Sequence, residues 1–206
     1  MRAGDDATRD RLLRCARALV DGGGIDALSM RKVAADAGVA PTAIYWHFGG
    51  RDQLLHAVLD EMISERPPLS ARGRDPHRRV ASLARAMRAE VTATAPMQQL
   101  AAELGRGAEL SVPAQVALAR EVTAAGLHGE EAANAVRAVL FMVGGFILIE
   151  DNYRHRPPGT RTTQQLWQDV DDEGIDAGLQ AAMRRAPDSD GLFRYALDRL
   201  LDAVLP

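Results

Sequence analysis

The chain has 206 residues, 47% of them hydrophobic and only 4% aromatic, with a net charge of -3. Its apolar content, mostly Ala, Leu and Val, excludes a disordered chain and favours helices over strands. One cysteine, Cys15, excludes an internal disulfide framework, and the small acidic surplus excludes a broadly basic surface as the source of any affinity for nucleic acid.

Taken in chain order, the first predicted helix runs from about Asp6 to Asp21. Leu12, Ala16, Leu19 and Val20 form its apolar stripe, and Arg9, Arg11 and Arg14 lie outside it. Gly22, Gly23 and Gly24 end it. Ser29 reads as the N-cap of a second helix whose inner face is Met30, Val33, Ala34 and Ala37. Gly38 supplies a turn. A third helix starts near Ala40, with Pro41 at its first position, where a missing N–H costs nothing. Ile44 and Phe48 should face inward. A fourth helix begins at Arg51, buries Leu54, Leu55, Val58, Leu59 and Met62, and stops at Pro67-Pro68.

A polar connector follows, Ser70 to Arg79. Further helices are predicted over His77–Thr94, Pro96–Leu104, Val112–Ala125 and Glu130–Tyr153, then a weaker one over Gln164–Arg185, interrupted near Gly174. The last, Gly191–Leu205, carries a broad apolar face. The fold class is therefore all-α. Three parts are expected: a helix-turn-helix domain over 1–50, connecting helix four over 51–66, and a C-terminal helical regulatory and dimerisation domain over 67–206.

Leu28 to Phe48 carries the functional signal. Two short amphipathic helices meet at a glycine, and the second bears Thr42, Ala43, Tyr45, Trp46 and His47 beyond its two inward positions. That is the build of a helix-turn-helix whose second helix enters a major groove of double-stranded DNA. Aromatics at helical spacing are commonly core residues. Here Ile44 and Phe48 already fill the inward positions. Trp46 packs on the sugar-phosphate backbone, reads a thymine methyl, or is half buried under the first helix; its spacing allows all three.

The residues Leu28-Ser29-Met30-Arg31-Lys32-Val33-Ala34, Ala37-Gly38-Val39, Ile44-Tyr45-Trp46-His47-Phe48, Arg51 and Leu54-Leu55 resemble the tetracycline-repressor (TetR) family of bacterial transcriptional regulators. The resemblance covers about Leu12 to Asp60, and Leu192 to Asp198 is similar to the family's final dimerisation helix. It implies a cytoplasmic, nucleoid-associated homodimer that binds a palindromic operator and is released by a small molecule. Pro41 stands where the family's namesake has a base-reading glutamine, and Pro67 where it has a drug-contacting histidine. Operator and ligand should therefore differ from the namesake's.

Chemistry divides the roles. Arg31 can reach a guanine edge with its planar fork, as the resemblance also implies, and Thr42 and Ala43 can touch base edges. Ser29, Tyr45, His47 and Arg51 can donate to phosphates and set register. Lys32, the single lysine, is a phosphate contact or a solvated charge.

The helix carrying Phe141 to Ile149 is apolar nearly all round and must be buried, in the centre of the bundle or against a second copy. Gly144-Gly145 within it suits a close helix crossing or a tolerated kink. With the last helix it forms the expected dimer surface: Val143, Gly144, Phe146, Ile147, Phe193, Leu197, Leu200 and Leu201. Met87, Gln99, Leu100, Leu104, Val116, Asn134, Phe141 and Met142 are candidates to line a pocket for a small apolar ligand, although pockets and cores share composition.

No catalytic constellation, metal site or cofactor is expected. Cys15 reads as a small core residue. The five histidines lack metal-ligand spacing. Asp169, Asp171, Asp172, Glu173 and Asp176 read as a solvated loop, without a calcium-loop pattern. No secretory signal is visible, and the longest apolar run, Ala138–Ile149, falls short of the about 20 residues a bilayer span needs, so no membrane partner is expected. Two other readings stay open: a ligand-independent regulator or activator, and an all-α small-molecule binder or enzyme without DNA binding.

Overall fold

The structure, a computed structural model, describes residues 3–206. Among these, eleven helices and one 3₁₀ turn account for the regular structure, and there is no strand. The helices are α1 (Ala3–Gly23), α2 (Met30–Asp36), α3 (Thr42–Phe48), α4 (Arg51–Ser64), α5 (Pro76–Ala93), α6 (Ala95–Glu103), α7 (Gly107–Ala124), α8 (Gly129–Arg154), α9 (Thr163–Trp167), α10 (Ala177–Met183) and α11 (Ser189–Val204). The 3₁₀ turn, Ile25–Ala27, lies between α1 and α2. The residues group into two compact units. One comprises the chain up to Ala71 together with Arg85–Arg120, the other Arg72–Ala84 together with Glu121–Pro206.

The first unit has one continuous core. Leu12, Ala16 and Val20 of α1 meet Val33 and Ala34 of α2, Ile44 and Phe48 of α3, and Leu54, Leu55, Val58 and Leu59 of α4. Met97, Leu100 and Ala101 of α6 belong to the same cluster, as does Leu110. α6 packs on α4, on α1 and on the 3₁₀ turn. Part of the stretch assigned from sequence to a C-terminal domain therefore completes the core beneath the helix-turn-helix. Each fully buried Leu or Ile contributes about 1.5–3 kcal/mol, so α6 is a substantial part of this core.

Polar pairs add to the hold on α4. Arg106, in the link between α6 and α7, bonds Asp60 of α4 at 2.8 Å and Glu109 at 2.6 Å. The Glu109 carboxyl is held below its usual range chiefly by that hydrogen bond from Arg106. At the end of α4, Arg66 donates to Glu90 of α5 at 2.7 Å and to the Leu110 carbonyl at 3.1 Å.

In the second unit α8 packs against α11. Phe146 and Phe193 meet edge to face, 5.1 Å between centroids. Val139 and Val143 of α8 and Leu197 and Leu201 of α11 are buried as well. The expected weak helix over Gln164–Arg185 is two short helices, α9 and α10. Side-chain hydrogen bonds tie them: Arg184 donates to the Trp167 and Val170 carbonyls, and the buried Gln180 donates to those of Asp172 and Ile175. The acidic residues here do local work. Asp176 caps α10 by accepting from the Leu179 N–H, Asp172 accepts from the Gly174 N–H, and Asp169 pairs with Arg161.

Three expectations need correcting. α7 starts at Gly107, not Val112, and carries Pro113 inside it. α8, at 26 residues, is long and apolar enough to cross a membrane by length and composition alone, a test that the core helix of a soluble protein also passes. A Cβ at Gly144 or Gly145 would meet nothing within 4 Å, so no close crossing within the chain explains these glycines.

Candidate nucleic-acid interface

The helix-turn-helix is assembled from local rules. Ser29 caps α2, its hydroxyl oxygen accepting from the Lys32 N–H at 3.2 Å. That bond uses the oxygen as acceptor and leaves the O–H to donate outward. α2 ends in a Schellman arrangement: the Val39 N–H bonds the Ala34 carbonyl, and the Gly38 N–H bonds the Ala35 carbonyl. Gly38 has φ +66°, a left-handed conformation that favours glycine. The chain then turns into α3, whose cap is Pro41 in a helical conformation, one residue outside the position expected for it.

Ile44 and Phe48 anchor α3 inward. On its other side Tyr45 is 59% exposed and Trp46 is 69% exposed, which removes the option of a tryptophan half buried under α1. Trp46 and His47 meet edge to face at 4.6 Å. Thr42 is exposed and Ala43 half-buried; Ser29, Arg31, Lys32 and Arg51 are all exposed. Neither α2 nor α3 has an acid in its first turn, so the positive ends of both helix dipoles are left without a neutralising carboxylate. The candidate residues thus lie on two adjacent short helices and at the start of α4, with their side chains wholly or partly open.

One residue outside that set belongs with it. The Arg9 guanidinium of α1 lies over the Phe48 ring, 5.0 Å from its centroid. This places a cation beside the C-terminal end of α3. The sequence shows Arg9 only as one of several arginines on the polar side of α1, and nothing in the spacing singles it out.

The ligand candidates fare differently. Leu100 is buried in the core shared with α1 and α4, and Leu104 packs against it. Met87 is buried, Met142 is half-buried, and Gln99, Val116 and Asn134 are exposed. Phe141 is 79% exposed. A cleft of about 720 Å³ opens in the first unit, lined from α1, α4, α5 and α6, and none of the eight lines it. The dimer candidates also divide. Val143, Phe193, Leu197 and Leu201 are buried within the chain and offer no area to a partner. Gly144 is exposed, and Phe146, Ile147 and Leu200 are half-buried.

An all-α chain that opens with a capped, glycine-turned helix pair and an exposed third helix falls in the class of helix-turn-helix proteins. Residues 12–58 match the model of bacterial regulatory proteins of the tetR family. The helix-turn-helix segment over 12–58 is thus similar to the DNA-binding segment of that family. It is 30% identical over 141 residues to the tetracycline repressor protein class A from transposon 1721 of Escherichia coli, an alignment covering 68% of this chain and 65% of that protein. The chain thus spans just under two thirds of that relative's length. Its fold is similar to that of the transcriptional regulator SCO7222, a TetR from Streptomyces coelicolor, with a TM-score of 0.67 at 21% identity, over 95% of this chain and 96% of the other. It is also similar to the TetR family protein ActR of the same organism, solved in complex with actinorhodin, with a TM-score of 0.63 at 23% identity over 95% of each chain.

Proposed function

We propose that this protein is a cytoplasmic transcriptional repressor that binds a palindromic DNA operator as a homodimer and is released by a small molecule. The observation that carries the reading is the outward face of α3, with Tyr45 and Trp46 open to solvent between two buried anchors. Arg31, Thr42 and Ala43 read base edges, and Trp46 packs on the sugar-phosphate backbone. Ser29, Lys32, Tyr45, His47, Arg51 and Arg9 fix register on phosphates. With a net charge of -3, affinity depends on these few groups.

The dimer is supported by the outer face of α8 and α11. Phe141, Leu148 and Ile149 of α8 and Tyr195 of α11 are all more than half exposed. A second copy covering that face would bury them, and two-fold symmetry in the protein matches a palindrome in the DNA. Release by a ligand is supported by what the relatives bear in their names, a tetracycline repressor and a regulator complexed with actinorhodin. A ligand acts here only through its different affinity for DNA-binding and released states.

Selection of bound sequences from random duplex DNA tests the reading. A palindromic consensus is expected, and a sequenceless pool of bound DNA would overturn it.

A further inference from the structure

We propose that the cleft at the end of α4 is a binding site for amphiphilic cations, such as flat aromatic or polycyclic amines. It rests on the reading of a ligand-released repressor and assigns both the place and the chemical class of the effector. The cleft lies within the first unit. α1, α4, α5 and α6 line it, and its volume of about 720 Å³ suits a drug-sized molecule.

Its walls divide into apolar and charged parts. Met62 and Pro67 face it from α4 and the residues after it, Pro96 and Met97 from α6, with two alanines of α5 between. Its charged groups are Arg17, Arg66, Asp21, Glu65 and Glu90, three acids against two bases.

Both arginines are committed. Arg17 bonds Asp21 at 2.7 Å and Glu65 at 3.2 Å, and Arg66 bonds Glu90 at 2.7 Å and the Leu110 carbonyl at 3.1 Å. An anionic ligand would have to displace a carboxylate before meeting either guanidinium. The acids are only half used. Glu65 bonds Arg17 through Oε2, and Glu90 bonds Arg66 through Oε1. The other oxygen of each carboxylate is open to a donor. An apolar body with a cationic end satisfies both parts of the wall, and the low dielectric beside the apolar surface strengthens its attraction to the carboxylates.

The location gives such a ligand leverage. Arg66 ties the end of α4 to α5 and to the Leu110 carbonyl. A cation beside Glu90 competes with Arg66 for that carboxylate and loosens the tie. α4 follows α3 directly through Gly49-Gly50, so its position bears on the recognition helix.

The test uses two ions of the same shape and opposite charge, titrated by calorimetry into the full chain without DNA. Tetraphenylphosphonium should bind once per chain, at least tenfold more tightly than tetraphenylborate. Equal affinities, preference for the borate, or no binding of either would overturn the site. Glu90→Gln and Glu65→Gln should each weaken tetraphenylphosphonium several-fold and leave the borate unchanged. Met97→Trp, which fills the cleft, should abolish binding while circular dichroism and the thermal midpoint confirm folding; retained binding would place the site elsewhere. A separate operator-binding measurement distinguishes the two readings. If the phosphonium binds in the cleft and the operator is still held, the effector assignment fails and the DNA-binding reading stands.

Discussion

The Arg9 guanidinium of α1 rests over the ring of Phe48, the last residue of α3, 5.0 Å from its centroid. Such a cation–π contact contributes about 0.5–1 kcal/mol at an exposed site and holds a positive charge beside α3. Arg9→Gln should weaken operator and random DNA alike. The slope of log affinity against log salt should fall by about 1. An unchanged slope would make Arg9 a purely structural partner of Phe48.

Arg31 should behave differently. Its exposed position in the first turn of α2 suits a base edge. Arg31→Ala should relax preference at one base pair per half-site, at about 1–3 kcal/mol. Uniform weakening across all sequences would make it a phosphate contact instead.

Buried and exposed apolar residues of the α8–α11 pair should separate cleanly. Phe193→Ala removes a fully buried ring and should cost about 3–5 kcal/mol of stability in chemical denaturation. Phe141→Asp changes a side chain that is 79% exposed. It should leave the protomer folded and shift sedimentation from dimer to monomer. A Phe141→Asp protein that remains dimeric would place the interface on another surface.

Gly38→Ala tests the turn. An added Cβ would meet nothing within 4 Å, so the penalty comes from the backbone at φ +66°. About 1–2 kcal/mol of stability should be lost, with operator affinity at low temperature nearly preserved. A much larger loss of affinity would show that the turn sets the recognition helix more finely than its hydrogen bonds imply.

Arg106 and Glu109 give a pH signature. The folded Glu109 carboxyl is held below its ordinary value of 4.5, chiefly by the Arg106 hydrogen bond. A lowered carboxylate pKa stabilises the fold above the unfolded value, and that contribution is lost as pH falls through the folded value. Glu109→Gln should therefore be less stable than the parent at neutral pH. The difference should close only as pH drops below 4.5. A gap independent of pH would mean that the pair contributes through packing rather than charge.

Helix periodicity made α1 to α4 legible because each has a narrow apolar stripe and a recognisable stop. The turn at Gly38 and the cap at Ser29 were legible for the same local reasons. The outward apolar face of α8 and α11 was not. Apolar residues run around most of α8, and α11 has a broad apolar side. Spacing alone therefore could not show that Phe193 and Val143 turn inward while Phe141 turns outward. Core and pocket positions were indistinguishable on similar grounds. Leu100 is as apolar as any cavity wall, and only three-dimensional packing shows that it fills the space against α1 and α4. Arg9 was hidden because its partner, Phe48, lies far along the sequence.

The shared core of the first unit bears on protein engineering. Met97, Leu100 and Ala101 of α6 complete the packing of α1 and α4. A hybrid sensor made by splicing residues up to 66 onto another regulator's body would leave that apolar floor missing unless the new body supplied matching side chains. A graft that also carries α6 retains it. The splice should therefore follow the packing, with α6 travelling alongside α1 to α4.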